Sequence, residues 1–268
     1  MKIYDCITYL NEDLILSIRF NILYDYVDYF VIVEGNRTHS GIKKKKNFQI
    51  KKFLKFKKKI IYFFISEFPS SSDRWVLENY QRNFIQTAIK DTNIQNSDYV
   101  IISDADEIPN LENIKRRELN PRDIYAFEQS TFNYKINLLN PKHTPWYGSK
   151  LVSYKKLSNL TPQLIRSCKC KQYPFWRFDK PRNVKIVKNG GWHFSFLNNI
   201  NKIQYKIKSF AHSEFSGEEF INKLRISDKI NKLQDLFDNN IYLKKKKIDN
   251  KYPDYILKNK KKFKNWIL

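Results

Sequence analysis

The chain has 268 residues, of which 41% are hydrophobic and 16% aromatic, and carries 50 Lys and Arg against 27 Asp and Glu for a formal net charge of +23. That apolar content excludes a disordered chain and is ample for a sizeable core. The positive balance favours a polyanionic partner: nucleic acid, an anionic membrane surface or acidic glycans. Against this, Lys, Asn, Ile, Phe and Tyr are abundant throughout, as AT-biased coding produces, and much of the lysine excess then reads as solvated surface.

In chain order, residues 2–8 read as a short strand, and Asn11-Glu12-Asp13 supplies capping chemistry for a helix with Leu14, Ile18 and Ile22 at helical spacing. Tyr29-Phe30-Val31-Ile32-Val33 is a continuous apolar strand ending at Glu34-Gly35. Residues 43–59 are Lys-rich with Phe48, Ile50, Phe53, Leu54 and Phe56, an exposed basic helix or loop with one apolar edge, and residues 60–65 give a third strand. Asp73 is placed to cap a helix through Trp75, Leu77, Tyr80, Phe84, Ile85 and Ala88, after which residues 99–103 form a fourth strand. This alternation predicts an α/β fold with a parallel-rich, Rossmann-like layer.

Beyond Asp123 the pattern changes to short strand-like pieces at 124–127, 151–154, 184–187 and 192–195, separated by Pro, Asn and Gly turns, with Thr161-Pro162 as a helix start. A basic helical part is expected from about Gly217 onward, with lysine runs at 244–247 and 260–262. With no convincing linker, the chain is read as one domain over 1–268: a nucleotide-binding half at 1–110, then an acceptor-side half and C-terminal helices at 111–268. No run of about 18 apolar residues is present to span a membrane, and no signal-peptide apolar region opens the chain. A cytoplasmic protein, soluble or peripherally membrane-associated, is expected. The three cysteines, Cys6, Cys168 and Cys170, are expected to be reduced thiols, because Cys168-Lys169-Cys170 is too tight for an ordinary bridge.

The densest chemistry is at Asp104-Ala105-Asp106-Glu107-Ile108-Pro109, where an apolar strand delivers three carboxylates to its own carboxyl end, the edge at which α/β sheets bind ligands. In an extended segment Asp104 and Asp106 leave one face and can converge on a hard cation such as Mg²⁺ or Mn²⁺ that also holds phosphate oxygens. A solvated turn is the plain alternative. His193, in Asn189-Gly190-Gly191-Trp192-His193-Phe194-Ser195, has the texture of a ligand site and could complete the cation's coordination, or be a hydrogen-bonded core histidine. Arg82 matches a diphosphate through its guanidinium fork, or is merely exposed. Glu34, at a strand end, suits a ribose or base contact, or caps a turn. Glu214, in His212-Ser213-Glu214, could act as general base, or be a surface acid.

Taken together, Asp25-Tyr26-Val27-Asp28-Tyr29-Phe30-Val31-Ile32-Val33-Glu34, the Asp104 to Pro109 hexapeptide and Gly191-Trp192-His193-Phe194-Ser195, in that order, resemble glycosyltransferase family 17, the family of the bisecting β1,4-N-acetylglucosaminyltransferase. The resemblance implies a GT-A type fold, a Mn²⁺ or Mg²⁺ cofactor, a UDP-sugar donor expected to be UDP-N-acetylglucosamine, and inverting transfer to a glycan hydroxyl. It implies that Asp104 and Asp106 are the D-x-D pair, with Asp106 the safer metal ligand and His193 a further one. Thr8, Glu34 and Arg82 are assigned with the Asp pair to the donor site. Glu214 is the base candidate, Glu107 its rival, and Glu128 a third carboxylate without motif support. Acceptor identity does not transfer. The lysine-rich surface is offered as a peripheral contact with anionic membrane or glycan, and no specific nucleic acid is expected. The competing readings are a basic nucleic-acid-binding protein, motivated by residues 43–64, and a two-metal phosphoryl-transfer enzyme, which leaves Gly191-Trp192-His193 unexplained.

Overall fold

The computed structural model describes residues 1–112, 114–170, 176, 183–215 and 217–268. The opening third is β1 (Ile3–Tyr9), α1 (Asp13–Leu23), β2 (Tyr29–Gly35), a 3₁₀ segment (Ile50–Lys59), β3 (Ile60–Ile65), α2 (Arg74–Lys90) and β4 (Tyr99–Asp104). β1 pairs in parallel with β2 on one side and β4 on the other, and β3 extends the sheet beyond β2. The continuous apolar runs of these strands follow from burial on both faces. Ile3, Ile7, Phe30, Ile32 and Ile101 face a core with α1, whereas Tyr4, Cys6, Val31, Val33, Val100 and Ile102 face a second core with α2. Asp73 caps α2 as expected, accepting from the Trp75 N–H at 2.8 Å.

The remainder is β5 (Glu107–Pro109), β6 (Ile124–Asn133), β7 (Leu138–Leu139), β8 (Lys150–Ser153), α3 (Tyr154–Leu157), α4 (Pro162–Arg166), β9 (Val184–Ser195), α5 (Ile200–Ser209), α6 (Glu218–Ile221), α7 (Lys223–Asn231), β10 (Lys244–Lys245) and α8 (Asp254–Lys258). β8 joins β4 antiparallel and β6 joins β8, so the parallel layer continues into an antiparallel part and the sheet is mixed. The pieces expected at 184–187 and 192–195 are one strand, β9, which runs parallel to β6 across a bulge and antiparallel to β5. The Gly190-Gly191 pair makes this possible: a Cβ on Gly191 would stand 2.2 Å from the Ile108 carbonyl, and its φ of +132° suits glycine. Lys244 and Lys245, expected within a helical stretch, form the edge strand β10 against β7. Thr161 caps α4 with Pro162 at its first position. The three cysteines form no disulfide, and no helix among the described residues is long and apolar enough to cross a membrane.

Candidate active site

Because β1 has β2 on one side and β4 on the other, the sheet changes winding direction between β1 and β4, where α/β sheets open a crevice at their carboxyl ends. Thr8 and Asp104 stand opposite one another at that point. The loop after β4 is fixed from beneath by Arg19 of α1, which is fully buried. Arg19 binds Asp5 through Nε at 2.7 Å and Nη2 at 2.5 Å, donates to Ser103 Oγ at 3.0 Å, and donates to the carbonyls of Asp104 and Glu107 at 3.2 and 2.7 Å.

The chain turns at Ala105-Asp106, so the two aspartates part and each meets its own cations. Asp104 takes Arg82 on Oδ1 at 2.9 Å and Arg166 of α4 on Oδ2 at 3.1 Å. Burial opposes its ionisation, but Arg82 and then Arg166 outweigh this and hold the carboxyl well below the usual range. Asp106 takes Lys206 of α5 on Oδ2 at 2.6 Å, with His193 Nε2 3.8 Å from Oδ1. Here too burial is overcome, chiefly by Lys206 and next by His193, and the pKa is lowered.

Glu107 is buried and accepts from Arg166 at 2.5 Å, Trp146 Nε1 at 2.6 Å and the Asp104 N–H at 3.0 Å. Both of its oxygens are committed to these donors, which hold the loop's shape. Opposite it in the β5 and β9 register is His193, whose ring stacks on Trp146 at 5.3 Å.

These groups border a cleft of about 430 Å³. Thr8, Arg82, Asp104, Asp106, Glu107 and His193 all line it, so six of the sequence candidates converge. All four histidines of the chain, His39, His143, His193 and His212, line it as well. Burial lowers the pKa of His39 against the opposing pull of Glu78, and Gln81 hydrogen-bonds its Nε2 at 3.0 Å. The lining also holds Phe196, Phe210, Phe215 and Phe237, the first three each in ring contact with Phe237, together with Asn133 and Asp235. Asn133 Oδ1 is buried without a hydrogen-bond partner.

Two candidates lie elsewhere. Glu34 is fully buried and outside the lining: the residue 44–48 segment folds over it, bringing Lys44, the Asn47 N–H at 2.7 Å and the Phe48 N–H at 3.0 Å, and Tyr62 of β3 adds its hydroxyl at 2.9 Å. Glu214 is exposed at the rim, where it binds His212 Nδ1 at 2.7 Å; that hydrogen bond is the first cause of its lowered pKa. His212 itself reaches the cleft. Glu128, also outside the lining, pairs with Lys188 at 2.7 Å. Lys206, Arg166, Trp146 and Asp235 were not signalled by the sequence, since none belongs to a spaced motif.

The expected Mn²⁺ or Mg²⁺ ligand set of Asp104, Asp106 and His193 fits this arrangement poorly. Arginines hold both oxygens of Asp104, Lys206 holds one of Asp106, and among the described residues no three of His, Cys, Asp and Glu group as metal ligands. A divalent cation of this kind takes about six oxygen donors, one or two of them carboxylates whose oxygens must be free to face it.

Residues 1–121, which hold β1 to β5 and the acid cluster, match the family described as Glycosyltransferase family 17. Over 116 residues the chain is 33% identical to the human and rat (Rattus norvegicus) proteins named beta-1,4-mannosyl-glycoprotein 4-beta-N-acetylglucosaminyltransferase, and 32% identical to the mouse protein of that name. Each match covers 40% of this chain and 22% of the relative, so the chain aligns with under a quarter of the curated relatives' length. His193, Lys206, His212 and Asp235 lie beyond the matched family region.

Proposed function

We propose that this chain, related through residues 1–121 to glycosyltransferase family 17, is an inverting glycosyltransferase of GT-A type that moves N-acetylglucosamine from a UDP-sugar to a glycan hydroxyl. The observation that carries the reading is the convergence of Thr8, Arg82, Asp104, Asp106 and His193 on one cleft at the sheet's switch point, with the acid cluster inside the matched region. Such a cleft offers a nucleotide diphosphate the strand ends for its nucleoside and a bank of cations for its phosphates. The phenylalanine wall with Asn133 and Asp235 suits the acceptor, because sugars present apolar C–H faces and hydroxyls together.

In the transfer, an acceptor oxygen attacks the anomeric carbon, the bond from that carbon to the diphosphate breaks, and the acceptor proton goes to a base. Glu214 takes part through His212: the carboxylate fixes Nδ1 of the imidazole, which lines the cleft and receives the proton on its other nitrogen. The cleft's fixed dipoles and charges face the diphosphate as its negative charge grows. None of these steps is routed through a metal. The exposed lysines of the Ile50–Lys59 segment offer a peripheral contact with anionic membrane or glycan in a cytoplasmic protein.

The test is a donor screen: full-length protein is incubated with UDP-N-acetylglucosamine and other UDP-sugars, and release of UDP and heat stability are recorded. UDP release from one donor together with stabilisation by UDP is expected. Indifference to every UDP-sugar and to UDP would refute the assignment.

A further inference from the structure

Resting on that reading of the cleft, we infer that Lys206 is the cation of the Asp104-x-Asp106 site, and that the nucleoside diphosphate is held by this tethered ammonium without a divalent metal. The donor geometry points there. Both oxygens of Asp104 are taken by arginines, and Arg82 is itself anchored, donating to Glu78 at 2.9 Å and Gln163 at 2.5 Å. Of the pair, Asp106 is the carboxylate without an arginine, and its Oδ2, which a metal ligand would need free, is held by the Lys206 ammonium at 2.6 Å.

Lys206 is positioned by its helix, by Asp106 and by a neighbouring ring. Ile203 and Ile207 of the same helix are buried among Tyr134, Leu138, Ile226 and Leu236, which fixes the helix face, and the ammonium lies 5.6 Å from the Phe196 ring. An ammonium carries three N–H donors. Asp106 takes one, and the side chain is 26% exposed on the cleft, so the remaining donors are available to phosphate oxygens. Asp106 is then a positioning residue: it orients Lys206 and keeps it charged, rather than chelating a metal. A lysine is a point charge that suits a phosphate, as in phosphate-binding loops. Because it is covalently part of the fold, it stabilises a leaving diphosphate with no second component to recruit.

The experiment is calorimetric titration of UDP into the full chain, first in EDTA and then in Mn²⁺. The dissociation constant is expected to agree within about threefold between the two conditions. In EDTA, Lys206→Gln should weaken UDP by at least about tenfold, the scale of one charge-assisted hydrogen bond, while Lys206→Arg stays close to wild type. Urea midpoints of the variants serve as the folding control. If Lys206→Gln does not fold, the EDTA and Mn²⁺ comparison on the unaltered chain decides alone. Binding of UDP only when Mn²⁺ is present overturns the inference and leaves the glycosyltransferase reading standing. Wild-type affinity of Lys206→Gln in EDTA overturns it as well. Absence of UDP binding in both conditions instead refutes the nucleotide-sugar reading on which it rests.

Discussion

Replacing Arg19 by methionine tests whether the acid-bearing loop is built from below. In the native fold Arg19 is 0% and Asp5 1% exposed, and the guanidinium joins Asp5 to the carbonyls of Asp104 and Glu107. Arg19→Met keeps much of the side-chain volume but leaves the Asp5 carboxylate buried without its partner, a loss of about 3–5 kcal/mol. The two loop carbonyls also lose a donor, each at about 1–3 kcal/mol if no water replaces it, so a total of at least about 5 kcal/mol is expected. Against a typical domain stability of about 5–15 kcal/mol, the variant should be near unfolding. The pair Asp5→Leu with Arg19→Met removes both charges with similarly shaped apolar groups, and its cost should fall to the carbonyl part alone, about 2–6 kcal/mol. Urea unfolding followed by far-UV circular dichroism measures both, and calorimetry with UDP reads the loop. The paired variant should fold yet bind UDP weakly, because the loop has lost its support. The reasoning fails if Arg19→Met alone costs under about 1 kcal/mol, or if the paired variant is no more stable than the single one.

Asp106→Ala should lower transfer by at least about a hundredfold through loss of the group that positions Lys206, with a urea stability within about 1 kcal/mol of wild type; retained turnover would contradict its role. Glu214→Gln should leave UDP affinity and stability unchanged, since the side chain is 55% exposed, and reduce turnover by about 10²–10⁴-fold; an active variant would move the base from the Glu214–His212 pair to a carboxylate of the lining such as Asp235. His39 has its pKa lowered from 6.5 by burial, so the folded chain binds fewer protons there than the unfolded one. Its stabilising contribution is therefore complete above the ordinary value of 6.5 and is lost as the pH falls below it, and His39→Gln should flatten the drop in urea midpoint between about pH 7.5 and 5.5. An unchanged slope in that variant would assign the drop to other groups.

The parallel core was legible because its code is local: apolar runs of strand length, caps at Asp73 and Thr161, and a strand that ends in acid. His193 was legible for a different reason, as the two glycines before it advertise a close backbone approach, and Gly191 does pack against the Ile108 carbonyl of the acid-bearing loop. Lys206, Arg166 and Arg19 could not be picked out among 50 basic residues, since what distinguishes them is a carboxylate brought near by the fold, 100 positions away for Lys206. Glu34 shows the converse. Strand-end logic placed it correctly, yet nothing local announced that residues 44–48 would close over it and take both its oxygens.

The basic stretch that motivated a nucleic-acid partner is explained by the same distinction between local pattern and fold. Binding a single strand by stacking needs exposed rings set among the cations. Here Phe48 stacks on Phe53 at 5.6 Å and on Tyr62 at 4.8 Å, while Phe53 and Phe56 pack against Phe20 at 5.3 and 5.2 Å. Those rings build the core over α1, and Lys51, Lys52, Lys55, Lys57 and Lys58 turn outward. The alternation of Lys and Phe is thus the signature of an amphipathic cover, and what remains outside is charge, which attracts any polyanion and weakens with salt. The cleft differs in kind. Two of its cations, Arg82 and Lys206, are held by Asp104 and Asp106 at 2.9 and 2.6 Å, and an anion entering there meets donors already fixed in place, the condition for recognising one particular phosphate.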